Sequence, residues 1–320
     1  MAVLATDCLT LSDWFGRRDP NGQHAEIVNV MSRKDEMFQD VMFMEANGVT
    51  IHEDTLASEL PQGEFRAFNE GVGRGRAKTQ KIRDGIANNQ LYGVVDKDLA
   101  DLSGDAASFR FREEKLVMEG IRQQYMDTLL YGNAITNPKS FTGLTPRYNS
   151  TTDERVITAG DSANLTSIWF VVWGDMSVRG IFPKGMSDSA GLSATDKGVE
   201  TVLDANNKEY EAYRTHYKWM SGLSIKDYRQ VVRICNINSV APTADLVNLM
   251  LEAVELIEDP SNLKIYMNRR MRTHFNKQAR TNTNAYLTIE SYEGKRYTSF
   301  HGYPLRRTDA IINAESLVTA

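Results

Sequence analysis

The amino-acid sequence predicts an α+β protein, and three observations lead to this class. Apolar residues recur at three- and four-residue steps before position 45 and again in residues 110–131, as is typical of amphipathic helices. Between these stretches, residues 49–92 contain too few large apolar side chains to build a core of their own. The second half alternates short apolar runs with helical patterns, which indicates one α+β unit.

The composition is that of a globular protein. The 320 residues are 41% hydrophobic and 25% charged, which favours about two domains with a real core. The net charge of −5 disfavours tight DNA binding, because proteins that grip phosphates usually carry a basic surplus. No apolar run reaches the ~18 residues of a membrane span.

The N-terminus and the cysteines indicate a reducing cytosol. Met1–Thr10 carries Asp7 and no basic residue, unlike the start of a signal peptide. Cys8 and Cys235 stand far apart in no CxxC pattern, so two free thiols are expected, with a disulfide as the alternative.

The first elements are an arm, a helix and a ribbon. An extended arm over residues 10–22 precedes a helix predicted from His24 to Glu45, which Asn47-Gly48 ends. Strand character begins at Val49, and the chain passes a glycine-rich tip at residues 71–76 before it returns from Lys78.

A long helix is predicted from Arg110 to Tyr131, a rod of roughly 30 Å. Glu113 and Glu114 favour its N-terminal end through the helix dipole. Its core-facing residues are expected to be Val117, Ile121, Tyr125 and Leu129.

The second half is predicted to contain several strands and two helices. The strands are Ser167–Trp173, Glu211–Met220 and Asp227–Asn236 (the last two separated at Ser221-Gly222), Leu263–Met267, and segments near 285–291 and 303–308. The helices are Pro242–Glu258 and Arg269–Gln278, the second with Asn268 as its N-cap.

No motif supports an enzyme, so no catalytic, cofactor or metal residue is predicted. The glycine-rich tip lacks a Gly-Lys-Ser/Thr and the adjoining helix that a phosphate loop needs. No two of the five histidines have the spacing of a helical metal pair, and no Gly-x-Ser-x-Gly elbow occurs. The aromatic set Trp169, Phe170, Trp173, Tyr217 and Trp219 is interpreted as core. An enzyme with a scattered site remains an alternative.

The order of arm, core-free ribbon, long helix and α+β unit resembles the major capsid proteins of tailed double-stranded-DNA bacteriophages. Several runs are similar to the short-tailed-phage subfamily: residues 64–72 and 78–80, Phe141-Thr-Gly-Leu, Trp173-Gly174, 181–185, 222–233 and 302–311. The resemblance covers nearly the whole chain and implies the HK-ninety-seven-like fold.

The resemblance implies a division of the chain and a shell-building, non-enzymatic role. The expected parts are an N-terminal arm (1–46), an extension loop (47–92), a peripheral domain with the spine helix (93–150, rejoined by 281–320) and an axial domain (151–280). The expected function is self-assembly into pentamers and hexamers of an icosahedral shell around the phage DNA. An encapsulin-like nanocompartment is the alternative with the same fold.

The implied partners are further copies of the chain, a portal protein, decoration proteins and packaged double-stranded DNA, without a membrane. Some relatives carry a scaffolding segment before the arm; here the arm starts almost at Met1, so a separate scaffold or none is expected. We also expect the shell to be held together without covalent cross-links. Assembly is expected in the bacterial host cytoplasm, and the protein is expected to end in the virion capsid.

A two-stranded ribbon is marginally stable alone, so the extension loop is expected to lie across an adjacent subunit. The charged residues predicted to make this contact are Arg66, Glu70, Arg74, Arg76, Lys78, Lys81 and Arg83.

Overall fold

The computed structural model describes residues 33, 35–102, 104–186, 189–204, 206–280, 287–292 and 295–319. The helices in this part are α1 Met37–Asp40, α2 Lys97–Leu102, α3 Ala106–Tyr131, α4 Leu246–Glu255 and α5 Arg269–Arg280. The strands are β1 Phe43–Glu45, β2 Ile51–Glu59, β3 Lys78–Asp96, β4 Val156–Thr158, β5 Leu165–Val172, β6 Val178–Phe182, β7 Leu192–Leu203, β8 Glu209–Ile225, β9 Val231–Asn238, β10 Leu263–Met267, β11 Leu287–Tyr292, β12 Lys295–Phe300 and β13 Tyr303–Arg307. The predicted α+β class is confirmed.

The strands form two sheets, and β3 has a double role in the first. That sheet has the order β1–β6–β8–β3–β2, with β7 also paired to β8, and the second has the order β11–β12–β13–β10–β5–β9–β4. Residues 78–85 of β3 pair with β2, whereas residues 86–96 pair with β8. The predicted extension loop therefore contains a two-stranded ribbon up to Gly85 and, beyond it, a strand of the body.

The apolar interior lies on both faces of the second sheet. Every residue of β5 is buried because its side chains alternate between two clusters. Trp169 and Val171 belong to the cluster that contains the buried residues of the C-terminal half of α3, and Phe170 belongs to the cluster that contains those of α4 and α5. Burial on both faces explains the nearly continuous apolar run. The predicted aromatic core set is buried throughout.

Helix α3 is the long helix that the periodicity predicted. It begins earlier than predicted, because Asp105 caps it by accepting a 3.1 Å hydrogen bond from the Ser108 amide. Its 26 residues make a rod of about 39 Å. It ends at Tyr131 because Gly132 leaves the helical conformation (ψ 134°), while its amide donates to the Thr128 carbonyl at 2.8 Å.

The structure places the four predicted core residues of α3 along one stripe. Ile121, Tyr125 and Leu129 are at most 4% exposed, and Val117 is partly buried and packs against the same cluster. The aromatic ring of Tyr125 lies 4.5 Å, centroid to centroid, from Trp219 of β8. The stripe therefore joins the helix to the first sheet.

The segment after β13 crosses the second sheet and brings a carboxylate into the interior. Glu315 forms a 3.0 Å ion pair with Arg233 of β9, and both side chains are at most 4% exposed. Glu315 also accepts hydrogen bonds from Tyr131 (2.6 Å) and Ser167. Further along, Asn236 bonds both the amide and the carbonyl of Val318. This segment is therefore part of the core.

The helix predicted from His24 to Glu45 is wrong at its C-terminal end. Its first part lies outside the described residues, and α1 is a single turn. Val41 is extended, and residues 43–45 form β1, which pairs in parallel with β6. The apolar spacing at this end reflects the packing of Phe43 against Tyr125 and Trp219.

The predicted break at Ser221-Gly222 is also wrong, because β8 runs through it without interruption. Gly222 pairs with both β3 and β6, and a Cβ there would lie 2.6 Å from the carbonyl oxygen of Gly85. The glycine thus permits close approach between strands and makes no turn. In contrast, Asn268 caps α5 as predicted, accepting a hydrogen bond from the Met271 amide.

Replacing Ile121 or Leu129 by alanine is expected to lower the free energy of unfolding by ~2–5 kcal/mol, because each change leaves a cavity in a packed core. Urea unfolding of the isolated subunit measures this. Met118→Ala, at a residue of the same helix that is 45% exposed, is the control and should cost less than ~0.5 kcal/mol. Near-neutral effects in all three variants would place this stripe outside the core.

Glu315→Ala is expected to destabilise the subunit by ~3–5 kcal/mol, because it leaves the Arg233 guanidinium buried without a counter-charge. The double variant Arg233→Met with Glu315→Leu removes both charges and should lose less stability than the single variant. Thermal and urea unfolding compare the two. A double variant that is less stable than Glu315→Ala would contradict the uncompensated-charge explanation.

Candidate inter-subunit surface

The extension ribbon consists of β2, residues 78–85 of β3 and the loop between them. Every residue from Ala57 to Lys81 is exposed. The side chains of Phe65 and Phe68 are about fully exposed, at 108% and 98%, and Leu60 is 78% exposed. Large apolar side chains gathered on one exposed segment are typical of an interaction surface.

The predicted contact charges on the strands of the ribbon are already paired within it. Lys78 lies 2.8 Å from Glu59, and Arg83 (2.8 Å) and Lys81 (3.5 Å) share Glu53. The two cations hold the pKa of Glu53 below its ordinary value, Arg83 having the larger effect. The register of β2 and β3 brings these exposed pairs together, and they contribute little energy.

The charged residues of the loop fall into two groups: Arg66 and Glu70 bond within a local turn, and Arg74 and Arg76 lie at the tip. Arg66 donates to the carbonyl of Glu70 (2.7 Å), and the Glu70 carboxylate accepts from the Ala67 amide (3.0 Å). Within the described part of the chain, Arg74 and Arg76 have no ion-pair partner. Of the seven predicted contact residues, these two arginines are the ones whose guanidinium groups make neither an ion pair nor a hydrogen bond within the described residues.

One ion pair with little solvent exposure fixes β2 to the body. Asp54 lies 2.7 Å from Arg179 of β6, with side chains 12% and 4% exposed. His52 places its Nε2 atom 3.1 Å from Asp54 and accepts a hydrogen bond from the Asn47 amide at Nδ1. Ser224 of β8 donates to the same Asp54 oxygen. A polar cluster from three strands thus holds the base of β2.

A second ion pair fixes β3 at the same level. Asp84, which is 4% exposed, lies 2.7 Å from Arg147, and Arg147 also donates to the carbonyl of Thr142. Asp84 is the register partner of His52, so the two anchors lie side by side. Together they set the direction in which the ribbon leaves the body.

Sequence reasoning missed both anchors and the two phenylalanines. Asp54 and Asp84 stand among other polar residues of the ribbon, and nothing in that pattern marks them as shielded from solvent. Phe65 and Phe68 did carry a signal, since they are aromatic residues in a stretch that cannot form a core.

The described residues contain no group of histidine, cysteine, aspartate and glutamate side chains that could hold a metal ion. Cys235 is buried and free, and burial raises the pKa of its thiol; Cys8 lies outside the described residues. No helix within the described ranges has the length and apolar character to cross a membrane.

Comparison with known proteins decides the family. The model of the family "Major capsid protein GP7" matches residues 19–319. The chain belongs to this major capsid protein family. A cryo-EM structure of bacteriophage Epsilon15 is 30% identical to this capsid protein, with a TM-score of 0.75 and 100% of both chains covered. The search of curated protein sequences found no match to this capsid protein.

A more distant structure shares the fold of this capsid protein. The SrpI encapsulin complex from Synechococcus elongatus is 9% identical, with a TM-score of 0.50, and the match covers 74% of the capsid protein and 99% of the encapsulin. At this identity the similarity shows the fold alone. The HK-ninety-seven-like fold is thus confirmed, and the capsid protein is a structural component of the virion shell.

Asp84→Ala is expected to loosen the ribbon base of the capsid protein, because it leaves Arg147 without its buried partner, at a cost of about 3 kcal/mol. Amide hydrogen exchange of β2 and β3 in the subunit should become faster. Glu59→Ala, which removes the exposed partner of Lys78, is the control and should cost ~0–1 kcal/mol. Equal protection of the ribbon in both variants would show that Asp84 is no anchor.

Proposed function

We propose that this capsid protein assembles into pentamers and hexamers of an icosahedral shell that encloses double-stranded phage DNA. The observation that carries this proposal is the ribbon: residues 57–81 contact nothing that could bury them, yet they present Phe65 and Phe68. Their exposed rings gain from burial only against another subunit. The ribbon lies across its neighbour and covers these rings there.

The charges of the ribbon have separate roles in this proposal. Lys78, Lys81 and Arg83 stiffen the ribbon through Glu59 and Glu53, and Arg66 with Glu70 shapes the loop. Arg74 and Arg76 meet acidic or polar groups of the neighbouring subunit. Each contact is weak alone, but a closed shell repeats it at every subunit.

The finer organisation follows the same proposal. The arm comprises residues 1–46, the extension loop 47–92, the peripheral domain 93–150 with 281–320, and the axial domain 151–280. Assembly takes place in the host cytoplasm, with a portal protein and with scaffold or decoration proteins as further partners. The protein performs no catalysis.

Electron microscopy of the purified, concentrated protein, with and without candidate scaffold, tests the proposal. Closed shells with five- and six-fold units are expected, and particles from infected cells should contain nuclease-resistant DNA. Particles that contain protein cargo and no DNA would favour the encapsulin-like alternative. A chain that stays monomeric or dimeric under all these conditions would contradict shell assembly.

Arg74→Glu combined with Arg76→Glu is expected to reduce shell yield or stability without changing the melting of the isolated subunit, because the tip contributes nothing to the core. The loss should be greatest at low salt, where repulsion is least screened. Lys197→Glu with Lys208→Glu, at exposed lysines of the β7–β8 hairpin, is the charge-matched control. Unchanged shells at every salt concentration would exclude a role for the two arginines.

A further inference from the structure

Helix α5 lies in a long stretch of the sequence that carries cations and no acidic residue. Between Asp259 and Glu290 no acidic residue occurs, although the protein as a whole has a net charge of −5. The cations of this stretch are Lys264, Arg269, Arg270, Arg272, Lys277 and Arg280. A local surplus of positive charge in an acidic protein is a candidate binding surface for a negatively charged partner.

The packing of α5 directs part of this charge outward. Met271 and Phe275 are at most 1% exposed and pack into the cluster beneath the second sheet. Arg269, Arg270 and Lys277 are exposed on the other side of the helix. Thr273 and Asn276 are exposed as well, so the outward face contains no large apolar side chain.

Two acidic residues of the described part of the chain, Asp309 and Glu36, contact α5 from underneath and are shared with other donors. Asp309, 15% exposed, pairs with both Arg269 and Arg307, whereas the Arg269 side chain is 70% exposed. Glu36, 12% exposed, pairs with Arg272 and accepts from the Arg307 amide. These two carboxylates therefore face the protein, whereas the Arg269 side chain faces the solvent.

Arg270 is the clearest excess charge. Its guanidinium contacts the Ser239 hydroxyl at 3.4 Å, and no acidic residue in the described part of the chain pairs with it. The Asp309 carboxylate is shared between Arg269 and Arg307. This end of the helix therefore carries more positive than negative charge.

We propose that the outward face of α5 binds the phosphate backbone of duplex DNA. The inference deepens the proposed shell function and rests on it. Guanidinium, ammonium, hydroxyl and amide groups are the side chains that usually bond DNA phosphates. Arg270 and Lys277 are about 11 Å apart along the helix axis, a distance over which duplex DNA presents several charges.

The absence of apolar anchors on this face favours DNA over a protein partner. Protein interfaces depend on a few buried aromatic or aliphatic side chains, whereas phosphate binding needs only charge and hydrogen-bond donors. With so few cations per subunit the contact is weak and independent of base sequence. It lines the shell with counter-charges without fixing the DNA, in keeping with the acidic net charge.

The test measures binding of a fluorescently labelled duplex to the full-chain subunit, below its assembly concentration, by anisotropy at several salt concentrations. The variant is Arg270→Gln with Lys277→Gln. The control is Lys197→Gln with Lys208→Gln, which loses the same charge on the β7–β8 hairpin. Shell formation by all three proteins is followed by electron microscopy.

The α5 variant is expected to bind the duplex about tenfold more weakly at low salt, and its slope of log K against log salt should fall by about 1.8. The control should stay near the original protein in both measures, and all three should form shells. Equal losses in both variants, or no duplex binding by the original protein at low salt, would overturn the inference while shells still formed. Poly-glutamate competing as well as unlabelled duplex would overturn the assignment to DNA.

Discussion

A two-stranded ribbon cannot bury its own side chains, and this constraint shapes the rest of the molecule. The ribbon can be presented to a neighbour only if the body fixes its direction. Three devices do so: β3 continues from the ribbon into the body sheet, Asp54 pairs with Arg179, and Asp84 pairs with Arg147. Each device joins the ribbon to a different part of the body, so the ribbon base belongs to the folded subunit even though its tip contributes nothing to that fold.

The elements that the sequence predicted well are those with local causes. The α3 stripe follows from apolar residues at helical spacing, and β10 with the Asn268 cap follows from a short apolar run and a side chain that bonds its own helix. The failures have distant causes. Gly222 is required by the approach of Gly85, far away in the sequence, and residues 43–45 become a strand because β6 offers a free edge. Strands β4, β6, β7 and β12 were not predicted at all; seven of the twelve residues of β7 are exposed, so it lacks a steady apolar alternation.

The candidate surface shows the same division. That the ribbon forms no core of its own could be predicted from its small number of large apolar residues. The sequence does not reveal which charges of the ribbon are left without an ion pair. Lys78, Lys81 and Arg83 meet their acidic partners only through the register of two strands. Register depends on the whole ribbon and on its base, and single residues do not reveal it. The two arginines left at the tip became distinguishable only once that register was known.

The carboxylate of Glu315 has a consequence for how the protein is made. The ribosome produces β5 and β9 long before residues 312–318. During that interval Arg233 in the nascent chain lacks its counter-charge, Glu315. The buried ion pair can form only after translation has passed Glu315. A chain that stops earlier keeps a guanidinium in an apolar interior, opens readily and is exposed to proteolysis. Each subunit that survives to join its neighbours has therefore been translated through this segment.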